Sequence, residues 1–249
     1  MEKKETANKN ELNNEDPALN LGNNGNYIVG EINIKENDIN KDIRIINSYE
    51  EYHRNYDFKE FRPYNRNEEE IKKCEIRIND ELIPFTYFYR FSKKGKYKIK
   101  YSFENILTIA NSLFYKCEFL TNLDFTNFNS SKITDMEAMF CECISLTNLN
   151  LSNFNTENVT NMNHLFYKCE SLIKLDLSNF NTQNVTIMYC MFEGCKSLTS
   201  LDLTNFNTQS IKSIFDMDDM LDGCDSLKGE NIITNDEKML YCISHFMPL

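Results

Sequence analysis

The sequence predicts an α/β solenoid of 26-residue repeats, with parallel strands and short helical turns, preceded by a small β-rich N-terminal domain. Three observations predict it. Leucines recur at Leu120, Leu146, Leu172 and Leu198, each 26 residues after the last. The segments that start there are near copies: LTNLDFTNFN, LTNLNLSNFN, LIKLDLSNFN and LTSLDLTNFN. Ahead of them, several runs alternate apolar and polar residues with the period of a strand. Self-similarity at a fixed period of this length marks units that bury their apolar faces only against their neighbours.

Taken in chain order, residues 1–26 are polar and rich in asparagine, too poor in apolar surface to offset the entropy of ordering, and are expected to be disordered. Strand-like runs follow at 27–35 (YIVGEINIK), 42–47 (DIRIIN), 74–79 (CEIRIN), 82–91 (LIPFTYFYRF) and 96–103 (KYKIKYSF). The stretch 52–70 is charged, carries Pro63, and reads as a loop or an irregular helical connection. Residues 27–103 thus form a β-rich capping domain and 104–227 the repeats. Residues 228–249 break the pattern and form a C-terminal cap, with Ile232, Ile233, Met239, Leu240 and Ile243 available to cover the last unit.

Positions that recur as apolar must point inward. Leu123, Leu149, Leu175 and Leu201 do so in the strand, and Phe128, Phe154, Phe180 and Phe206 should stack as a spine. Met136, Met162 and Met188 open the second half of each unit, followed four residues later by Phe140, Phe166 and Phe192. Three residues further stand Cys143, Cys169 and Cys195, with Cys117 ahead of them and Cys224 after. Offsets of four and three place these groups on one face of a helical turn, which Thr160 or Asn161 could cap.

Nine cysteines, an odd number, argue against a disulfide framework. The spacing lacks the paired short loops of a zinc site, so the cysteine column reads as packing. Cys141 and Cys190 stand where sister units carry other residues, and Cys141 reads as a drifting surface position. His164 reads as exposed at a variable helix position, remote in sequence from His53 and His245. Asparagines at the corners (Asn127, Asn153, Asn179, Asn205 and, two residues on, Asn129, Asn155, Asn181, Asn207) can bond backbone groups between units. The acidic run Asp216, Asp218, Asp219, with Asp222 and Asp225, lacks the order of a calcium loop and reads as a solvated corner.

The net charge of −11 repels phosphate backbones, so nucleic acid is not an expected partner. No apolar run is long enough to span a bilayer. No secretory apolar segment opens the sequence, which points to a cytoplasmic protein. None of the usual hydrolase, metalloprotease, phosphate-loop or dinucleotide motifs occurs, and no cofactor or metal is expected.

The string LTNLNLSNFNTENVTNMNHLFYKCESL resembles the repeat of the BspA-like leucine-rich-repeat surface proteins, also found as the mycoplasma-type surface lipoprotein repeat. The resemblance covers about residues 103–227. It implies a leucine-rich-repeat fold, a cell-surface location, and binding to other proteins. Binding is then expected on the concave side, where alternate strand residues point away from the inward leucines. These are Asn122, Asp124 and Thr126; Asn148, Asn150 and Ser152; Lys174, Asp176 and Ser178; and Ser200, Asp202 and Thr204. The expectation is a non-enzymatic protein that engages a protein partner through this strip. The alternative is a structural protein that self-assembles in a surface or cytoskeletal layer.

Overall fold

The structure, a computed structural model, describes residues 25–54 and 66–246. Its frame is a six-stranded mixed sheet in the order β4-β3-β6-β1-β7-β8. The N-terminal part supplies β1 (Tyr27–Ile34), β3 (Glu75–Ile78), β4 (Glu81–Ile83) and β6 (Gly95–Ser102). The first two repeats supply β7 (Leu120–Asp124) and β8 (Asn148–Asn150). β1 is the joint. It pairs antiparallel with β6 on one side and with β7 on the other, while β7 and β8 run parallel. β2 (Ile43–Arg44) pairs with β5 (Phe88–Tyr89), and β9 (Leu201–Asp202) with β10 (Ile232–Ile233). Among the described residues there are three α-helices: α1 (Tyr49–Arg54), α2 (Glu68–Ile71) and α3 (Glu237–Phe246).

This corrects the expected fold class. The chain is not an α/β leucine-rich-repeat solenoid with parallel strands and helical turns: it is built on a mixed sheet, and among the described residues the repeats hold no α-helix, only a short 3-10 turn at Ile214–Met217. The backbone hydrogen bonds show why the helical turns are missing. In an α-helix each N–H bonds the carbonyl four residues back. Here the N–H groups of Met136, Ala138, Phe140 and Glu142 cross instead to the carbonyls of Asn161, Asn163, Leu165 and Tyr167 in the next unit. Those of Met139, Cys141 and Cys143 reach back three residues, to Met136, Ala138 and Phe140. The result is a stack of tight turns. Each turn holds two residues in the left-handed region: Ala138 and Glu142, His164 and Lys168, Cys190 and Gly194. Such residues cannot continue a right-handed helix. Asn161 does accept a backbone N–H, from Asn163 at 3.0 Å, but it closes a turn and caps no helix.

The parallel ladder also lapses. In β7 and β8 the side chains of Asn148 and Asn150 donate to Asn122 and Asp124 of the unit before, at 2.5 and 2.9 Å. The equivalent positions further on are Lys174 and Asp176, then Ser200 and Asp202. Two carboxylates in adjacent units have no proton to share, and Asp176 and Asp202 repel each other. The six-stranded sheet ends at β8.

Within the N-terminal part, most expected strands form, in shorter pieces. The run 82–91 splits into β4 and β5 beyond Pro84, which has no N–H for a ladder. The run 42–47 keeps two residues in β2. The expected loop 52–70 contains the end of α1 and most of α2, and its residues 55–65 lie outside the described residues, as do 1–24 of the expected tail. Asn26, counted in that tail, is tied down: its Oδ1 accepts the Asn129 N–H at 2.9 Å.

One continuous core runs from β1 to the C-terminal helix. The inward columns are buried as the period requires, except that Leu175 is only partly buried. Phe114, Phe140, Phe166 and Phe192 stack with ring centroids 6.3, 5.6 and 5.5 Å apart. Phe128, Phe154, Phe180 and Phe206 form a second column at 6.0 to 6.4 Å. The thiols of Cys143, Cys169 and Cys195 donate to the carbonyls of Phe114, Phe140 and Phe166 in the preceding unit. Cys141 and Cys190 are also buried, so Cys141 is no surface position. Of the expected capping residues, Met239 is buried and Ile232 and Ile243 pack against the core, whereas Ile233 and Leu240 are exposed.

Candidate functional site

Residues directly opposite on neighbouring strands point to the same face of a sheet. The strand registers therefore extend the expected strip well beyond the repeats. One row across all six strands reads Leu82, Arg77, Lys100, Val29, Asp124, Asn150. A second reads Lys98, Glu31, Asn122, Asn148. At about 4.8 Å between strands, the first row spans about 24 Å. Its charge changes sign along its length. Lys98 and Lys100 lie on β6 beside Arg77 of β3, which is paired with Glu75 at 2.7 Å, and Asp124 and the asparagines lie on β7 and β8. A shallow hollow of about 450 Å³ lies over the change of sign. There Lys100 Nζ stands 4.1 Å above the ring of Tyr27. The strip residues were legible from the repeat. Their basic continuation was not, because it depends on β1 pairing with both β6 and β7.

Only part of the strip is in this sheet. Asn122, Asp124, Asn148 and Asn150 belong to it; Lys174, Asp176 and Ser178 are in no strand, and Asp202 is in β9. Thr126, Ser152, Ser178, Ser200 and Thr204 are exposed. The aspartates also close turns. Asp124 Oδ1 accepts the N–H and hydroxyl of Thr126 at 3.0 and 2.6 Å. Asp176 accepts the N–H of Ser178, and Asp202 that of Thr204, both at 3.0 Å. Burial pushes Asp124 up, but the hydrogen bonds from Thr126 and Asn150 outweigh it and hold the carboxyl below its ordinary value. The N–H of Ser178 lowers Asp176, and that of Thr204 lowers Asp202.

A second concavity, unforeseen in the sequence, lies beneath α1. Tyr49, Tyr52 and His53 of α1 are three and four residues apart and so share one face of the helix. They lie over the turns of the first units, with Tyr115, Glu137, His164 and Tyr167. Asn67 pins the helix there: its Oδ1 accepts the Tyr49 N–H and its Nδ2 donates to the Asn111 carbonyl, both at 2.8 Å. His164 is half-buried, not exposed as expected. The signal that pointed here was the variation of these positions between units otherwise nearly identical. That variation reads as drift until the turn geometry shows that they share a wall.

Burial lowers the pKa of His53 and His164 below the ordinary value of about 6.5, and Glu137 opposes the shift at both. Between the folded and ordinary values the unfolded chain binds more protons than the folded one, so stability is lost as pH falls through that window. Asp124, Asp176, Asp202 and Asp236 are shifted the same way for a different reason, their net hydrogen bonding. Their contribution is present above about 3.9 and is lost as pH falls through the folded values. Melting followed from about pH 8 to about pH 3 should therefore show one decline below about 6.5 and a second below about 3.9. A melting temperature flat from about pH 8 to 5 would rule out the histidine contribution.

All nine cysteines are free and buried, and burial raises each thiol above its ordinary pKa. They are held as thiols, poor nucleophiles and poor metal ligands. In the acidic run, Asp216 accepts the Ser213 N–H at 3.2 Å and Asp219 accepts the Tyr189 hydroxyl at 3.2 Å. No group of three or more histidine, cysteine, aspartate or glutamate side chains placed to hold a metal occurs among the described residues. Nor, among them, is any helix long and apolar enough to cross a membrane.

The family described as "Mycoplasma protein of unknown function, DUF285" matches residues 108–235, more than half of the chain. No curated protein and no solved structure matches it.

Proposed function

Because the chain belongs to the DUF285 family, whose match coincides with the repeats, we propose that it works by binding, and that it engages a protein partner across the outer face of the six-stranded sheet. The observation that carries this is the row from Arg77 and Lys100 through Val29 to Asp124 and Asn150. It is a rigid, two-signed charged surface, and its partner presents acidic groups opposite β3 and β6 and basic groups opposite β7. Opposed charges of this kind set orientation and on-rate more than raw affinity. The resemblance of the repeat to that of the BspA-like surface proteins favours a partner met outside the cell. Catalysis is the poorer reading, because the candidate nucleophiles are buried thiols.

The test is capture of partners by the immobilised protein and by two variants. One carries Asp124→Lys, Asp176→Lys and Asp202→Lys; the other carries Lys98→Glu and Lys100→Glu. Each should reduce the genuine partner about tenfold, and raised salt should do the same to the wild type. A partner retained equally by both variants removes this face from consideration.

Self-association is a second reading, favoured by Phe215, Ile233 and Leu240, which are exposed toward the C-terminal end. Sedimentation across concentration separates the two, since self-association needs no foreign partner.

A further inference from the structure

The groove beneath α1 has a volume of about 440 Å³ and is half-enclosed by aromatic rings. On one side Tyr52 meets Tyr115 edge to face, with centroids 4.5 Å apart. On the other His164 packs against Tyr167 at 5.3 Å. Between these walls stands the carboxylate of Glu137. The amides of Asn111 and Asn161 donate to its Oε2 at 3.4 and 3.0 Å. Amide donors orient a carboxylate without neutralising it. Glu142, the other acid of the groove, is 3.6 Å from Lys116 Nζ. Among the described residues, no lysine, arginine or histidine nitrogen is within ion-pair distance of Glu137.

We propose that this groove binds an organic cation, an ammonium or guanidinium on an apolar or planar skeleton, with Glu137 as its counter-ion and the tyrosine rings as its walls. The chemistry is matched on both counts. Ring faces attract cations, the more so when water is partly excluded. The rings of this wall already do so within the chain, with Lys116 Nζ 5.5 Å from the Tyr115 ring and Lys168 Nζ 4.8 Å from that of Tyr167. A fixed carboxylate in a half-buried site supplies the charge term. The two histidines do not oppose a cation near neutral pH, since burial keeps them uncharged. An anion would be repelled by the carboxylate of Glu137, which lines the groove. The site is separate from the sheet face, so its failure would leave the partner-binding proposal standing.

The cation could arrive as a basic side chain on a protein or as a small quaternary amine, and two pairs of probes tell these apart. The first pair is acetyl-arginine amide against acetyl-citrulline amide. The second is choline against its neutral tert-butyl analogue. Calorimetry on the full chain should show at least one cation favoured over its neutral twin by about tenfold. Binding of the arginine probe alone assigns the site to a basic side chain, and binding of choline alone to a small amine. Glu137→Gln should abolish the preference without changing the melting temperature. Should Glu137→Gln lower it, Tyr167→Leu at the rim serves as an independent variant, expected to weaken cation binding. The proposal is overturned if each cation and its neutral twin bind alike, if neither cation binds up to about 10 mM, or if a folded Glu137→Gln keeps the wild-type preference.

Discussion

A fragment that begins at residue 104 and keeps all the repeats is expected to aggregate, or to unfold without a cooperative transition. The family match starts at residue 108, so such a fragment looks like a natural unit. The sheet argues otherwise. β7 takes its antiparallel partner from β1, and without β1 its edge is a bare template for association. The core is shared across the same joint. Leu113, Phe114, Leu120, Leu123 and Phe125 are all completely buried, and they belong to one cluster with Ile28, Ile32 and Tyr101. Burial of a side chain of this size contributes about 1.5–3 kcal/mol. Exposing even part of several of them removes an amount comparable with the whole stability of a domain, about 5–15 kcal/mol. Gly30→Val probes the joint more gently. A Cβ there would stand 3.0 Å from Leu120 Cδ2 and 3.3 Å from Tyr101 Cε2. Overpacking of that kind typically costs about 1–3 kcal/mol. A soluble 104–249 fragment melting cooperatively at the wild-type temperature would show that the repeats stand alone.

Replacing Phe166 by alanine should destabilise the full chain by about 3–5 kcal/mol, the range for a buried aromatic in a packed core. Phe166 sits mid-column, 5.6 Å from Phe140 and 5.5 Å from Phe192, nearly parallel to both. Its carbonyl also receives the Cys195 thiol. The cavity left behind is walled by neighbouring units that hold each other in register through backbone bonds, so it can collapse little. Phe206 stands last in the other column and is slightly exposed. Phe206→Ala should cost distinctly less. Urea unfolding of the two variants checks both statements. A loss below about 1 kcal/mol at Phe166, or equal losses at the two sites, would show that the columns are not what holds the stack.

The sequence was a reliable guide to which side chains point inward, and a poor one to how the backbone between them is arranged. Met136, Phe140 and Cys143 have the spacing of a helical face, yet three-residue turns with left-handed corners bury them equally well. Periodicity reports the direction of a side chain, not the partner of its N–H. The expected binding strip was half legible. Asp124 and Asn150 do share one face of the sheet, but Arg77, Lys98 and Lys100 beside them come from runs that read only as strands of a separate cap. The groove was missed for a third reason. Ala138, Cys141 and His164 are the positions where the units disagree, and one sequence cannot distinguish drift from a specific wall.

What the residues determine unaided is therefore the period and the columns: 26-residue units with leucine, phenylalanine, methionine and cysteine turned inward. A repeated apolar residue can be buried only against its own copies, and that is a local, countable property. Three-dimensional assembly decides the rest. It gives every second N–H of the turns to the next unit, places β1 between β6 and β7, and lays α1 over Glu137. Each of these is a choice among hydrogen-bond or packing partners far apart in the chain. The energy that settles such a choice depends on which groups meet, and local pattern does not contain it.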